Sequence, residues 1–260
     1  MRAPRTLATL DEVDTGDHVC QLLDPAEDVI DRSRAFVADG ELHGDKVVIV
    51  GPMLKAGSEF ARLVLDPARL GGSLLAAVRR EAATADRQGF RSLRVLHHVG
   101  PGCCAARTDE LLRSELDLEE FAADTGALVV CAYHAADWDL PALQRLGCVH
   151  PHRLGSPAVS PAFRVFRAGK EGWAVTGIVD GDGADAFSAV LCALLAQTDT
   201  VRLFCHALEF FDASGMSALA DAARHLPDRK VVLEGANDTV RLAWELSGFA
   251  VPDIPVVMTP

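Results

Sequence analysis

One serine stands at the junction of a β-type run and a helical one, in Leu208-Glu209-Phe210-Phe211-Asp212-Ala213-Ser214-Gly215-Met216-Ser217-Ala218-Leu219. A hydroxyl at a helix N-terminus faces backbone N–H groups that have no partner within the helix, and the positive end of the helix dipole. A phosphate can be accommodated there. The pattern points to a switch made by phosphorylating Ser214, with Asp212, Ala213, Gly215 and Met216 as the surface that a partner reads. The plainer alternative makes Ser214 a helix cap and gives Asp212 the task of fixing the turn by a side-chain hydrogen bond.

A second group of reactive residues is spread over the first 152 positions: His18 and Cys20, then His97, His98, Cys103 and Cys104, then His150 and His152. Imidazoles and thiols are the right types for zinc. None shows the Cys-x2-Cys spacing of a compact site, so three or four would have to converge from separate strand ends. The spacing favours a partly buried strand for His18 and Cys20, and a loop at the C-terminal end of a strand for His97–Cys104. No metal and no cofactor is expected. Ligands bind at such strand ends in open α/β sheets, which makes His18, Cys20, His97, His98 and Cys103 the ligand-binding candidates. The loop Gly51-Pro52-Met53-Leu54-Lys55-Ala56-Gly57-Ser58 fails as a nucleotide loop, because no Lys directly precedes Ser58.

The elements that position these residues alternate strand and helix. Asp24-Pro25-Ala26-Glu27 reads as a helix opening, with the helix running to about Asp39 and stopping at Gly40. Lys46–Val50 suits a strand buried on both faces. Helices follow at about Ser58–Leu65 and Ser73–Gln88, a strand at Leu93–Leu96, a helix at Thr108–Thr125 and a strand at Ala127–Tyr133. After a Pro-containing connector, the cycle repeats. Strands fit Trp173–Val179, Val201–Cys205 and Lys230–Glu234. Phe187, Val190, Leu191, Leu194 and Leu195 form one helical stripe, and Met216, Leu219, Ala223 and Leu226 form another. Asn237 or Asp238 caps a last helix, which Gly248 ends. Sheets covered by helices are the natural solution.

The chain has 260 residues and 49% hydrophobic content, enough for about two domains with real cores. Its formal charge of -12 argues against nucleic-acid binding, which needs clustered Lys and Arg. There is no apolar run long enough for a membrane span and no secretory leader pattern. With seven cysteines and no such pattern, reduced thiols in a cytoplasmic setting are expected.

The C-terminal hundred residues, roughly Ala162 to Val257, resemble a STAS domain, the module of anti-sigma-factor antagonists and sulphate-transporter tails. The resemblance rests on Thr176-Gly177-Ile178-Val179-Asp180, Phe211-Asp212-Ala213-Ser214-Gly215, Leu233-Glu234-Gly235-Ala236 and Leu246-Ser247-Gly248-Phe249. In that family the serine directly before the glycine is phosphorylated by a partner kinase that is also an anti-sigma factor. The resemblance therefore implies that role for Ser214, and a serine kinase of the histidine-kinase-like ATPase type as partner.

Residues from about Gly16 to Leu154 resemble the MEDS domain, a sensory module of methanogen, methylotroph and dichloromethane-response regulators. His18-Val19-Cys20-Gln21, Gly89-Phe90-Arg91-Ser92-Leu93-Arg94, Cys131-Ala132-Tyr133 and His150-Pro151 carry the likeness, and Leu22-Leu23 depart from it where aromatic residues are common. It implies a RecA-like fold without catalysis and a small-molecule ligand or relayed signal.

The expectation is therefore an α/β chain with a RecA/Rossmann-like parallel-sheet domain at 1–154, a linker at 155–161 and a smaller STAS α/β domain at 162–260. It would act as a cytoplasmic signalling regulator with no catalytic residue, and a homodimer is compatible with it. A ligand-binding scaffold without phosphorylation is the alternative. An enzyme built on Cys103 and Cys104 is a further one, although no Gly-x-Ser-x-Gly elbow or Walker motif supports it.

Overall fold

The computed structural model describes residues 3–51, 63–66, 70, 73–100, 108–155 and 160–259. Those residues fall into two compact units. One takes described residues within 4–143 and 150–158, the other those within 144–149 and 159–260 together with Ala3.

The first unit is built on a seven-stranded sheet. Its strands are β1 (Arg5–Thr6), β2 (His18–Leu23), β3 (Lys46–Val50), β4 (Val64–Leu65), β5 (Leu93–His98), β6 (Leu128–His134) and β7 (His152–Leu154), in the order β1-β7-β2-β6-β5-β3-β4. Every pairing is parallel. Parallel neighbours need crossovers, here supplied by α1 (Val29–His43), α2 (Leu74–Arg87) and α3 (Thr108–Thr125).

The two faces of this sheet differ in chemistry. Val19 and Leu23 of β2, Val47 and Ile49 of β3, Leu96 of β5, and Val130 and Ala132 of β6 point to one side and pack with Val29, Phe36 and Val37 of α1. Burying each such side chain contributes about 1.5–3 kcal/mol. Successive side chains of a strand alternate sides, so the opposite face carries His18, Cys20, His97, Cys131 and Tyr133. All five are buried.

Helix α1 starts and ends later than its sequence suggests. Asp28 is the cap, accepting from the N–H groups of Ile30 and Asp31, while Glu27 reaches back to the N–H of Asp24 in the turn before it. Gly40 lies inside the helix because it is a packing residue. A Cβ there would stand 2.5 Å from Val47 Cγ2 and 2.9 Å from Arg94 Cδ. The stop is Gly44, at φ 76°, a left-handed conformation that glycine adopts without strain. Replacing Gly40 with alanine is expected to lower stability by about 1–3 kcal/mol, read from a urea unfolding curve of the full chain. Of the helix expected at Ser58–Leu65, residues 58–62 lie outside the described residues, and Val64–Leu65 form β4 instead. Strand β5 runs on past Leu96 to His98.

The second unit holds a five-stranded sheet, in the order β12-β11-β10-β9-β8. Its strands are β8 (Phe163–Arg167), β9 (Trp173–Val179), β10 (Thr200–Phe211), β11 (Lys230–Glu234) and β12 (Val256–Thr259). Only β8 with β9 is antiparallel; the other pairings are parallel. Helices α5 (Ala184–Leu195), α6 (Ala213–His225) and α7 (Asp238–Leu246) follow β9, β10 and β11, and α4 (Leu140–Gly147) precedes β7. The apolar stripe on α5 is buried as its spacing predicts. Phe187 of that helix bridges Phe163 and Phe211 edge-to-face, each pair 5.7 Å between centroids. Gly177 in β9 is obligatory: φ is 83°, and a Cβ would lie 2.2 Å from the Ala162 carbonyl oxygen.

Among the described residues no helix is long and apolar enough to cross a membrane.

Candidate functional site

Among the described residues, two places bring reactive side chains together, one in each unit. In the second, Phe211 ends β10 and α6 begins at Ala213. The residue between them, Asp212, is the cap: its carboxylate accepts from the Gly215 N–H at 2.9 Å, and its own N–H donates to the Val179 carbonyl at 3.2 Å, tying the turn to β9. Ser214 is thereby released from capping. It is exposed in the first helical turn, beside exposed Ala213, while Gly215 and Met216 are buried. Ala213 and Ser214 are thus presented to solvent, Asp212 is half-buried, and Met216 belongs to the core.

Gly215 is required by packing. A Cβ there would sit 2.6–2.7 Å from the Phe211 ring and 2.9 Å from Val179 Cγ1. The turn Asp180–Gly183 lies next to Ser214, since a Cβ on Gly181 would lie 3.6 Å from Ser214 Oγ. In that turn Asp180 accepts from the N–H groups of Asp182 and Gly183. Ser214 is therefore an exposed hydroxyl beside the Asp180–Gly183 turn. Asp212→Ala is expected to cost about 1 kcal/mol through loss of the cap, checked by the melting of the C-terminal unit.

The other place is the polar face of the seven-stranded sheet. His18 at the start of β2, Cys131 and Tyr133 of β6, His97 of β5 and His150 just before β7 meet Glu115 and Glu119 of α3, all of them buried. His18 Nε2 lies 3.2 Å from Glu115 Oε2 and 3.4 Å from Cys131 Sγ. His18 Nδ1 lies 3.3 Å from Glu119 Oε2. His150 Nε2 is 3.2 Å from the same Glu115 Oε2, and the Tyr133 hydroxyl donates to Glu115 Oε1 at 2.7 Å. The rings of His18 and His150 stand 4.0 Å apart.

The electrostatics follow from burial and pairing. Burial works against a charged His18, yet Glu115 and Glu119 outweigh it and push its pKa up to about 9. Burial likewise works against an ionised Glu115, but hydrogen bonds from His150 and His18 hold its carboxyl well below the usual range. Burial pushes the Cys131 thiol far up, and the nearby Glu115 adds to the effect. His97, with Nδ1 3.8 Å from Cys131 Sγ, is pushed down to about 4, chiefly by burial.

Of the ligand candidates chosen from sequence, His18 and His97 belong to this cluster. Cys20 is buried on the same strand face as His18, in register with Cys131. His98 is half-buried and packs edge-on to the His134 ring at 5.6 Å. Cys103 and Cys104 lie outside the described residues. Sequence reasoning grouped His150 with His152; instead His150 meets His18, Glu115 and Cys131. It missed Glu115, Glu119 and the Tyr133 hydroxyl. A signal existed: the buried stripe of α3 (Leu111, Leu112, Leu116, Leu118, Phe121, Ala122) is interrupted by two glutamates one turn apart.

The model of the family described as "MEDS: MEthanogen/methylotroph, DcmR Sensory domain" matches residues 17–151, just over half of the chain. No curated protein matches. Two solved structures resemble part of the chain. "Structure of the Anti-Sigma Factor Antagonist SpoIIAA in its Unphosphorylated Form" is 18% identical, covering 38% of this chain and 88% of that one, with a TM-score of 0.30. "Structure of the Bacillus Cell Fate Determinant SpoIIAA in the Phosphorylated Form" is 19% identical, covering 38% and 92%, also with a TM-score of 0.30. So slight a likeness carries no weight alone, and the fold of the C-terminal unit stands on its own strand order.

Proposed function

We propose that this chain, which belongs to the MEDS sensory-domain family, is a signalling regulator whose C-terminal unit switches partners when Ser214 is phosphorylated. The unphosphorylated surface around Ala213 and Ser214 binds an anti-sigma factor that is also a serine kinase of the histidine-kinase-like ATPase type. A phosphate adds about 1.5–2 negative charges and drives that partner away by repulsion and desolvation. The N-terminal unit supplies the input, a small ligand or a relayed signal.

The observation that carries this reading is the division of labour at the turn. Asp212 does the capping, so Ser214 is free of a structural task and exposed where α6 begins. The Asp-x-Ser-Gly sequence of STAS antagonists falls on this geometry.

The chain acts in this reading as binder and kinase substrate, not as an enzyme. Burial pushes the Cys148 and Cys205 thiols up to about 12 and Cys131 well above its usual value. A thiolate nucleophile needs the opposite shift at these three positions, while Cys103 and Cys104 lie outside the described residues.

Calorimetric titration of the kinase with the chain, before and after enzymatic phosphorylation, tests the proposal. Binding by the unphosphorylated form and its loss in the phosphorylated one are expected. Equal affinity of the two forms would end the partner-switching account.

A further inference from the structure

The four side chains His18, Glu115, Cys131 and His150 offer one ligand atom each, and these atoms all lie within 4.8 Å of one another, every residue buried. From this convergence we propose that the N-terminal unit holds a transition-metal dication of the zinc class, bound by two imidazoles, one carboxylate and one thiolate.

The distances carry the argument. Zinc bonds of about 2.0–2.1 Å to nitrogen or oxygen and 2.3 Å to sulfur, at tetrahedral angles, place neighbouring ligand atoms about 3.3–3.7 Å apart. His18 Nε2 to Glu115 Oε2 is 3.2 Å, His18 Nε2 to Cys131 Sγ is 3.4 Å, and His150 Nε2 to Glu115 Oε2 is 3.2 Å. Three of the polyhedron's edges are thus in place. The two imidazole rings, 4.0 Å apart, open by about an ångström to reach the tetrahedral angle.

The surroundings are those of a metal site as well. A ligating histidine almost always gives its other ring nitrogen to a carboxylate, which fixes the ring. His18 Nδ1 lies 3.3 Å from Glu119 Oε2. Ligating carboxylates are themselves held, and Glu115 Oε1 accepts from the Tyr133 hydroxyl at 2.7 Å. Those two contacts leave His18 Nε2 and Glu115 Oε2 as the atoms that face the centre.

Charge and softness choose the ion. A thiolate with imidazoles suits zinc and its neighbours rather than magnesium or calcium, which take oxygen ligands. One thiolate and one carboxylate neutralise a dication in a dry interior. Four protein ligands leave no open position, so the ion serves structure: it ties α3 to β2, β6 and the segment before β7.

The test uses the full chain, purified from zinc-supplemented cells, with metal measured by inductively coupled plasma mass spectrometry. About one zinc per chain is expected for a four-ligand site. After chelation and loading with cobalt(II), visible bands of a tetrahedral ion and a thiolate-to-cobalt band in the near ultraviolet are expected. Cys131→Ser is expected to abolish the thiolate band, and His18→Ala to weaken metal affinity at least tenfold. Cys205→Ser, in the other unit, is the control and keeps both signals. A folded wild-type chain that carries no metal and takes up no cobalt would overturn the proposal. So would a thiolate–cobalt band that persists in Cys131→Ser, since the ion would then sit elsewhere.

Discussion

Replacing Asp45 with alanine is expected to destabilise the N-terminal unit by about 3–5 kcal/mol, the cost of breaking a buried ion pair from one side. Asp45 directly precedes β3, with its side chain fully buried. It accepts from Arg91 Nε and Nη2 at 2.8 and 2.9 Å, and from Arg94 Nε at 2.7 Å. Arg91 is half-exposed and can return to water. Arg94 cannot: its side chain is 6% exposed, it donates to the Phe36 carbonyl at 3.1 Å, and its guanidinium lies 5.1 Å from the centre of the Phe36 ring. Without Asp45 its charge stays buried and unbalanced, at the point where α1 meets β3 and β5.

The same pair sets a pH dependence. Burial alone would raise the Asp45 pKa, but the two arginines outweigh it and hold the carboxyl below its ordinary value of 3.8. A folded value below the unfolded one means that the stabilising contribution is fully present above 3.8 and is lost as pH falls through the lower folded value. Urea unfolding of wild type and Asp45→Ala between pH 7 and pH 2 checks this. The gap between them should be constant at neutral pH and close at the acid end. A gap under about 1 kcal/mol at pH 7 would mean a solvated surface pair instead.

The second large effect concerns the switch. Ser214→Asp is expected to weaken kinase binding by about a hundredfold, since placing an ion in a dry interface costs several kcal/mol and every 1.4 kcal/mol is a factor of ten. Ser214→Ala is expected to keep wild-type affinity, but ATP no longer dissociates the complex. Both substitutions fall on an exposed position that caps nothing, so thermal melting should match wild type. Loss of binding in Ser214→Ala would show that the hydroxyl contributes to the contact itself.

Much of this molecule is legible in its sequence, for physical reasons that differ by element. Helices α2 and α3, strand β3 and strand β9 carry clear apolar periodicity with local caps such as Ser73, and they lie where the pattern puts them. Helix α1 was harder, because two capping patterns follow one another at Asp24 and Asp28, and Gly40 imitates a stop although tertiary packing demands it. Strand β10 extends six residues past Cys205, through register shifts against β9 that no local signal announces.

The two sites differ in the same way. The Ser214 turn is a contiguous stretch, so its residues could be read together. The His18 cluster assembles residues up to 132 positions apart on one sheet face and one helix, and only the topology unites them. What the sequence did hold was a set of misplaced polarities: His18 and Cys20, then Cys131 and Tyr133, at alternating strand positions, and Glu115 and Glu119 in an apolar helical stripe. Titratable residues in buried positions are unfavourable unless they pair, so such positions belong together.

The account rests most directly on Ser214 as the phosphate acceptor. The full chain is incubated with ATP and a candidate anti-sigma-factor kinase, and the products are mapped by tandem mass spectrometry. The account predicts a single phosphate on Ser214, absent from Ser214→Ala. A kinase that binds the chain and phosphorylates another residue, with Ser214 left unmodified, would contradict it.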